Sequence, residues 1–218
     1  MIHRRTFLAA TAAGLTLTGA AALGLAQTAA PAPATPAPAA ATGPTYKEFI
    51  VGDPKAPVTV IEYASLTCNH CAMFHQTVYA ELKKNYIDTG KARFVFRDFP
   101  LDGLAMGAAV LARCAPGDRG IRLVEMMFKN QDAWIRASNP LEPLKGYAQL
   151  AGMDSAAVDA CLANQEMIKA VREVQTTASN LYKVQSTPTF FIEDDKIEGN
   201  RGYDYMAELI DKHYDKKK

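Results

Sequence analysis

β-Branched and apolar residues run together at Val58-Thr59-Val60-Ile61-Glu62-Tyr63, after the turn-forming Gly52-Asp53-Pro54, which predicts a buried central strand. After Cys68 the period lengthens. Cys71, Phe74, Val78, Leu82 and Tyr86 recur at three- and four-residue spacing, predicting one amphipathic helix that closes at Thr89-Gly90. Ala92 to Phe96 predicts a second strand, ended by Arg97-Asp98-Phe99-Pro100. From Leu101 to about Asn180 strand signals vanish. Ala-, Leu- and Met-rich stretches broken at Pro116-Gly117, Asn139-Pro140, Pro143 and Gly152 predict several short helices there. Strand character returns at Thr189 to Glu193, turns at Asp194-Asp195 and resumes at Lys196-Ile197-Glu198. A last amphipathic helix carries Tyr203, Met206, Ile210 and His213. Strand, helix, strand, helical block, two strands and a helix make an α/β fold with an all-helical insertion.

The ends of the chain behave differently. Residues 1–26 open with Arg4-Arg5 and continue with a small, uncharged run to Leu25, with Gly24 and Ala26 suited to cleavage. This predicts a cleaved export signal, by the twin-arginine or the general secretory route. The run is too rich in Ala, Gly and Thr for a membrane span. Residues 27–45 hold eight Ala and five Pro and no charge, and predict a disordered tether. The folded body then starts near Tyr46, divided into a sheet-containing part (46–100 and 181–218) and a helical insertion (101–180). Its composition, 49% hydrophobic, is enough for a core. A formal charge of +1, with no basic run before Lys216-Lys217-Lys218, excludes nucleic acid as a partner.

Chemistry concentrates at Cys68-Asn69-His70-Cys71, two thiols three positions apart where a strand hands over to a helix. At a helix N-terminus the first thiol meets unpaired N–H groups and the positive end of the dipole, which favours thiolate, the nucleophile of disulfide exchange. Cys68 also has the more exposed position, so it is the expected attacking thiol, with Cys71 resolving the mixed disulfide. A zinc site would need a second Cys or His pair, and haem attachment a His after Cys71, where Ala72 stands. No metal or cofactor is implied. A structural bridge over so short a loop would gain little. His70, between the thiols, is suited to stabilise the Cys68 thiolate. His75, one turn further, reads as a hydrogen-bonded core or edge histidine rather than a catalytic group or copper ligand. Glu62 shares a strand face with Val58 and Val60, so its carboxyl points where an apolar group belongs, unless the strand is an edge facing solvent.

Glu62-Tyr63-Ala64-Ser65-Leu66-Thr67-Cys68-Asn69-His70-Cys71, with Ser186-Thr187-Pro188-Thr189-Phe190 far downstream, resembles the DsbA branch of the thioredoxin superfamily over roughly residues 46–215. The resemblance implies a thioredoxin-like fold with an inserted helical subdomain, in a periplasmic thiol:disulfide oxidoreductase that introduces disulfides into exported proteins. It implies reduced exported proteins as substrates, a quinone-linked membrane partner of the DsbB kind, and a monomer. It places Glu62 beneath the redox pair as a proton exchanger with Cys71, and makes Pro188 cis, with the Thr187 backbone pairing with substrate. The family's usual dipeptide is Pro-His; Asn69 departs from it and leaves the oxidising strength open. A disulfide isomerase or reductase would use the same site, and Thr187 before Pro188 leans that way, although residues 27–45 cannot supply a dimerisation module. A copper chaperone using Cys68, Cys71 and His75 is the non-enzymatic alternative. Cys114 and Cys161 fall in predicted helices beside apolar residues and are expected to form a second, structural disulfide, the one pairing that spares the exchange site, with two free buried thiols as the alternative.

Overall fold

The computed structural model describes residues 46–218; the export signal expected over 1–26 and the tether expected over 27–45 lie outside the described residues. Within them one five-stranded sheet runs β1-β3-β2-β4-β5, from β1 (Phe49–Val51), β2 (Val58–Ala64), β3 (Ala92–Asp98), β4 (Thr189–Ile192) and β5 (Asp195–Glu198). β2 pairs parallel with β3 and antiparallel with β4, so both of its edges are hydrogen-bonded. That central position explains its unbroken apolar run. β1, antiparallel to β3, was too short to show in the sequence pattern.

Three boundaries differ from the sequence reading, each for a local reason. The helix after Cys68 is jointed: α1 (Asn69–Thr77) gives way at Val78 to α2 (Tyr79–Leu82) and a π-helical turn, Lys83–Ile87. Val78 has φ −116°, and the Thr77 hydroxyl donates to the Met73 carbonyl at 2.7 Å. Phe74, Val78, Leu82 and Tyr86 nevertheless all remain buried. β3 continues through Arg97 and Asp98 because both charges find buried partners. Arg97 donates to Tyr63 Oη (2.8 Å) and Glu48 (2.9 Å), and Asp98 accepts from Tyr46 Oη (2.9 Å) and Arg113 Nε (2.6 Å). The hairpin turn falls at Glu193-Asp194, with Glu193 at φ 53°, and leaves Asp195 in β5 to accept from Lys212. The Glu193 carboxylate compensates by accepting from the Thr59 N–H at 2.6 Å.

Between β3 and β4 the chain is helical: α3 (Gly103–Cys114), α4 (Arg119–Lys129), α5 (Gln131–Ile135), α6 (Leu141–Leu150), α7 (Ser155–Leu162) and α8 (Gln165–Leu181). Asp102, Asp154 and Asn164 cap α3, α7 and α8, each side chain accepting from the N–H three residues on. Pro143, expected to break a helix, sits inside the first turn of α6, where a missing N–H goes unused. Gly120 lets α4 approach α3 and β1: a Cβ there would lie 2.5 Å from both the Ala112 oxygen and the Phe49 ring. The closing helix is α9 (Tyr203–Asp215). Buried side chains of sheet and helical run belong to one core, including Phe94, Phe96, Phe128, Trp134 and Phe190. Among the described residues no helix is long and apolar enough to cross a membrane.

Candidate active site

Cys68 is the N-cap of α1, in extended conformation (φ −81°, ψ 119°), and its carbonyl accepts from the Ala72 N–H at 3.1 Å. The Cys68 N–H is itself tied to the Ser65 carbonyl at 3.0 Å, so β2 delivers the thiol through one tight turn. Both thiols are free. Cys68 keeps 8% of its surface accessible and Cys71 none, so the attacking position is more recessed than the sequence reading supposed. The two are electrostatically opposed. The Cys71 thiol, opposed by burial of the thiolate and reinforced by a hydrogen bond from Thr187 and by the backbone N–H groups of Cys71 and His70, lowers the Cys68 pKa to about 5. Burial, then the Cys68 side chain and the Glu62 charge, pushes Cys71 well above the ordinary thiol range. At neutral pH the pair therefore holds one thiolate and one thiol.

Thr187-Pro188 is a cis peptide, and the Thr187 carbonyl oxygen lies 3.3 Å from Cys68 Sγ. Strand β4 begins at once behind it. The backbone that the resemblance assigns to substrate pairing is thus beside the first thiol. The His70 side chain is exposed, and of the imidazole and the backbone it is the backbone that acts on Cys68.

Glu62 is completely buried, between Phe96 of β3 and Phe190 of β4 in the sheet register. Burial raises its carboxyl pKa, with the charge and hydrogen bond of His75 acting the other way. Oε2 lies 2.8 Å from His75 Nε2, while Oε1 is buried without a hydrogen-bond partner. The sequence separately flagged a carboxyl on an apolar strand face and a histidine on the helix face of Cys71, but not that they meet. Their meeting follows from α1 crossing the face of β2 that carries Glu62, and the two aberrant polar positions were the available signal.

Two further polar anchors were not anticipated. Gln131 of α5, 6% exposed, donates from Nε2 to the carbonyls of Leu66 (2.8 Å) and Cys68 (3.0 Å). Asp102, the cap of α3, accepts from the Thr67 hydroxyl at 2.7 Å. The loop bearing Cys68 is thereby held by the helical run as well as by the sheet. Cys114, at the end of α3, is disulfide-bonded to Cys161 of α7.

An acidic cysteine capping a helix, a protonated one behind it and a cis-proline alongside, on a mixed sheet, define a thioredoxin-like protein. The thioredoxin family model matches residues 45–212, and alpha-DsbA1 of Wolbachia pipientis is 34% identical. The chain belongs to the thioredoxin family and, within it, to the DsbA-type proteins. That crystal structure superposes with a TM-score of 0.72, over 78% of this chain and 92% of the other. BdbD of Bacillus subtilis, in its oxidised form, shares the fold at 21% identity and a TM-score of 0.68, over 77% of this chain and 93% of that one. A Rickettsia felis protein provisionally named a protein-disulfide oxidoreductase is 33% identical over 78% of this chain. The chain spans 62% of the length of that relative.

The opposed thiols lead to a direct test. In reduced protein at mildly acidic pH, iodoacetamide is expected to label Cys68 first, because only its thiolate is populated there. Peptide mapping reads the order, and preferential labelling of Cys71 would overturn the assignment.

Proposed function

We propose that this protein is a thiol:disulfide oxidoreductase acting as a dithiol oxidase on reduced exported proteins in the periplasm, through Cys68 and Cys71. The observation that carries this reading is the asymmetry of the two thiols: a low pKa at Cys68 stabilises the reduced form and so makes the disulfide oxidising. A substrate thiolate attacks Cys68 Sγ of the disulfide, and the S–S electron pair passes to Cys71, which takes a proton from Glu62. A second substrate thiolate then attacks the substrate sulfur of the mixed disulfide and expels Cys68 as thiolate. The substrate has lost two electrons and the enzyme pair has gained them. Reoxidation reverses the proton step: Glu62 as carboxylate takes the Cys71 proton while Cys71 attacks a mixed disulfide with a membrane partner of the DsbB kind. The Thr187 backbone, next to cis-Pro188, aligns the substrate strand, and the His70 backbone N–H adds to the stabilisation of the Cys68 thiolate. Residues 101–180 serve as an inserted subdomain on a thioredoxin-like domain of 46–100 and 181–218, the Cys114–Cys161 bond bracing it, and the protein works as a monomer.

Equilibration of the Cys68/Cys71 pair with glutathione tests the direction of the reaction. A potential near about −120 mV, as in strong dithiol oxidants, is expected; one near about −270 mV, as in reducing thioredoxins, would overturn the oxidase reading. An isomerase or reductase is the second reading, favoured by the polar Thr187 before cis-Pro188. Copper carriage by Cys68, Cys71 and His75 is disfavoured because His75 Nε2 is engaged by Glu62.

A further inference from the structure

Glu62 and Cys71 are both fully buried, and burial favours the neutral acid when both thiols are free, so Glu62, having given its proton to Cys71, regains one from solvent and must lose it again before it can take the Cys71 proton in reoxidation. The front of the site cannot serve throughout, since a substrate joined to Cys68 and lying along Thr187 covers it. The second oxygen of Glu62 has no partner, and Oε2 points away from the cysteines' end of α1 toward His75, one turn further on.

His75 is built into that position. Its side chain is 4% exposed, and its ring stacks on Phe128 (centroids 4.4 Å apart, planes 17° apart) and lies 4.9 Å from Tyr79. The stack fixes Nε2 on Glu62, while Nδ1 is buried and without a partner. His75 also forms part of the wall of a pocket of about 430 Å³ between α1, α2 and α4, whose other walls include Tyr79, Lys83, Glu125 and Lys129. Tyr79 Oη is also buried, and Glu125, another wall of this pocket, acts on it. The orphaned His75 nitrogen and the Tyr79 hydroxyl belong to residues that line one pocket together with Lys83, Glu125 and Lys129, and such convergent polar groups are the setting in which water bridges protein atoms.

We propose that His75 is the proton relay of the redox pair, carrying protons between Glu62 and solvent through this rear pocket. The inference rests on the oxidoreductase reading and deepens it. When Cys71 leaves as thiolate it takes the Glu62 proton; Glu62 takes the proton on His75 Nε2; and Nδ1 receives one from pocket water. In reoxidation each transfer reverses, so the imidazole gains a proton at one nitrogen as it yields one at the other. No electron passes through it. His75 acts through Glu62 and touches neither thiol, so it is a positioning and proton-conducting residue rather than one that meets substrate.

The test is steady-state oxidation of a reduced two-cysteine peptide, with a small-molecule disulfide regenerating the protein after each turnover, read by acid quench and alkylation. His75→Ala and His75→Gln are both expected to slow the reaction about 10- to 100-fold, because Gln keeps a hydrogen bond to Glu62 but cannot conduct. The 240 nm thiolate titration of Cys68 should stay unchanged in both. Added imidazole should restore His75→Ala in a saturable manner and leave wild type and His75→Gln unaffected. Wild-type rates in either variant, or a slow His75→Ala indifferent to imidazole, would overturn the relay. If Glu62→Gln is slow while the His75 variants are not, the relay alone fails. If wild-type protein itself oxidises no dithiol, the oxidoreductase reading fails.

Discussion

Glu62→Gln is expected to fold normally and to slow turnover of the Cys68/Cys71 pair by about 100-fold or more, the usual scale for losing a positioned acid–base group. The amide keeps the shape and a hydrogen bond to His75 but can neither give Cys71 a proton nor take one. The deficit should shrink as pH rises toward the elevated range of Cys71, where solvent hydroxide removes the proton unaided. Stability should move the other way. Because burial raises the Glu62 pKa in the folded state, the folded form binds the proton more tightly than the unfolded chain. Its contribution is full below the unfolded carboxyl range and is lost as pH rises through the folded value. Glu62→Gln should therefore match wild type in acid and exceed it at neutral pH in urea titrations of the reduced protein. Equal rates in the two proteins at all pH values would remove Glu62 from the mechanism.

Removing the second disulfide carries the largest expected cost in stability. Cys114 and Cys161 close a loop with a sequence separation of 47, for which the chain-entropy model gives about 3 to 4 kcal/mol, or ~10²- to 10³-fold in the folding equilibrium. Cys114→Ala/Cys161→Ala should melt roughly 10 °C lower than wild type, while the Cys68/Cys71 potential changes little. A loss below about 1 kcal/mol would show that the bond does not brace the helical run. Thiol counting checks the pairing: after mild reduction of the exchange pair two free thiols are expected under denaturing conditions. Four, with no reductant-resistant bridge, would overturn it.

The parts of this molecule visible in the sequence are those where chemistry and periodicity coincide. β2 could be read because a central parallel strand buries both faces, and α1 because Cys71, Phe74 and Val78 keep helical spacing up to the joint. Cys68 and Cys71 stood out because adjacent turns at a helix start permit little else. β1 was invisible because three residues hold too little alternation, and the end of β3 because Arg97 and Asp98 look like strand terminators until Tyr63, Glu48, Tyr46 and Arg113 neutralise them from distant positions. The same holds for Glu62 and His75, and for Gln131. A buried polar group is legible only as an anomaly, since its partner is chosen by tertiary packing and leaves no local pattern.

The Gln131 amide has a consequence for anyone wishing to shorten this protein. A miniature made by splicing β3 to β4 would discard α5, taking the Gln131 donor from the Leu66 carbonyl and leaving the Cys68 carbonyl with the Ala72 N–H alone, at the very turn that carries the first thiol. The helical block is thus no detachable ornament on a sheet. In engineering terms it is half of the mount that holds the reactive sulfur, and any minimal version has to replace that amide.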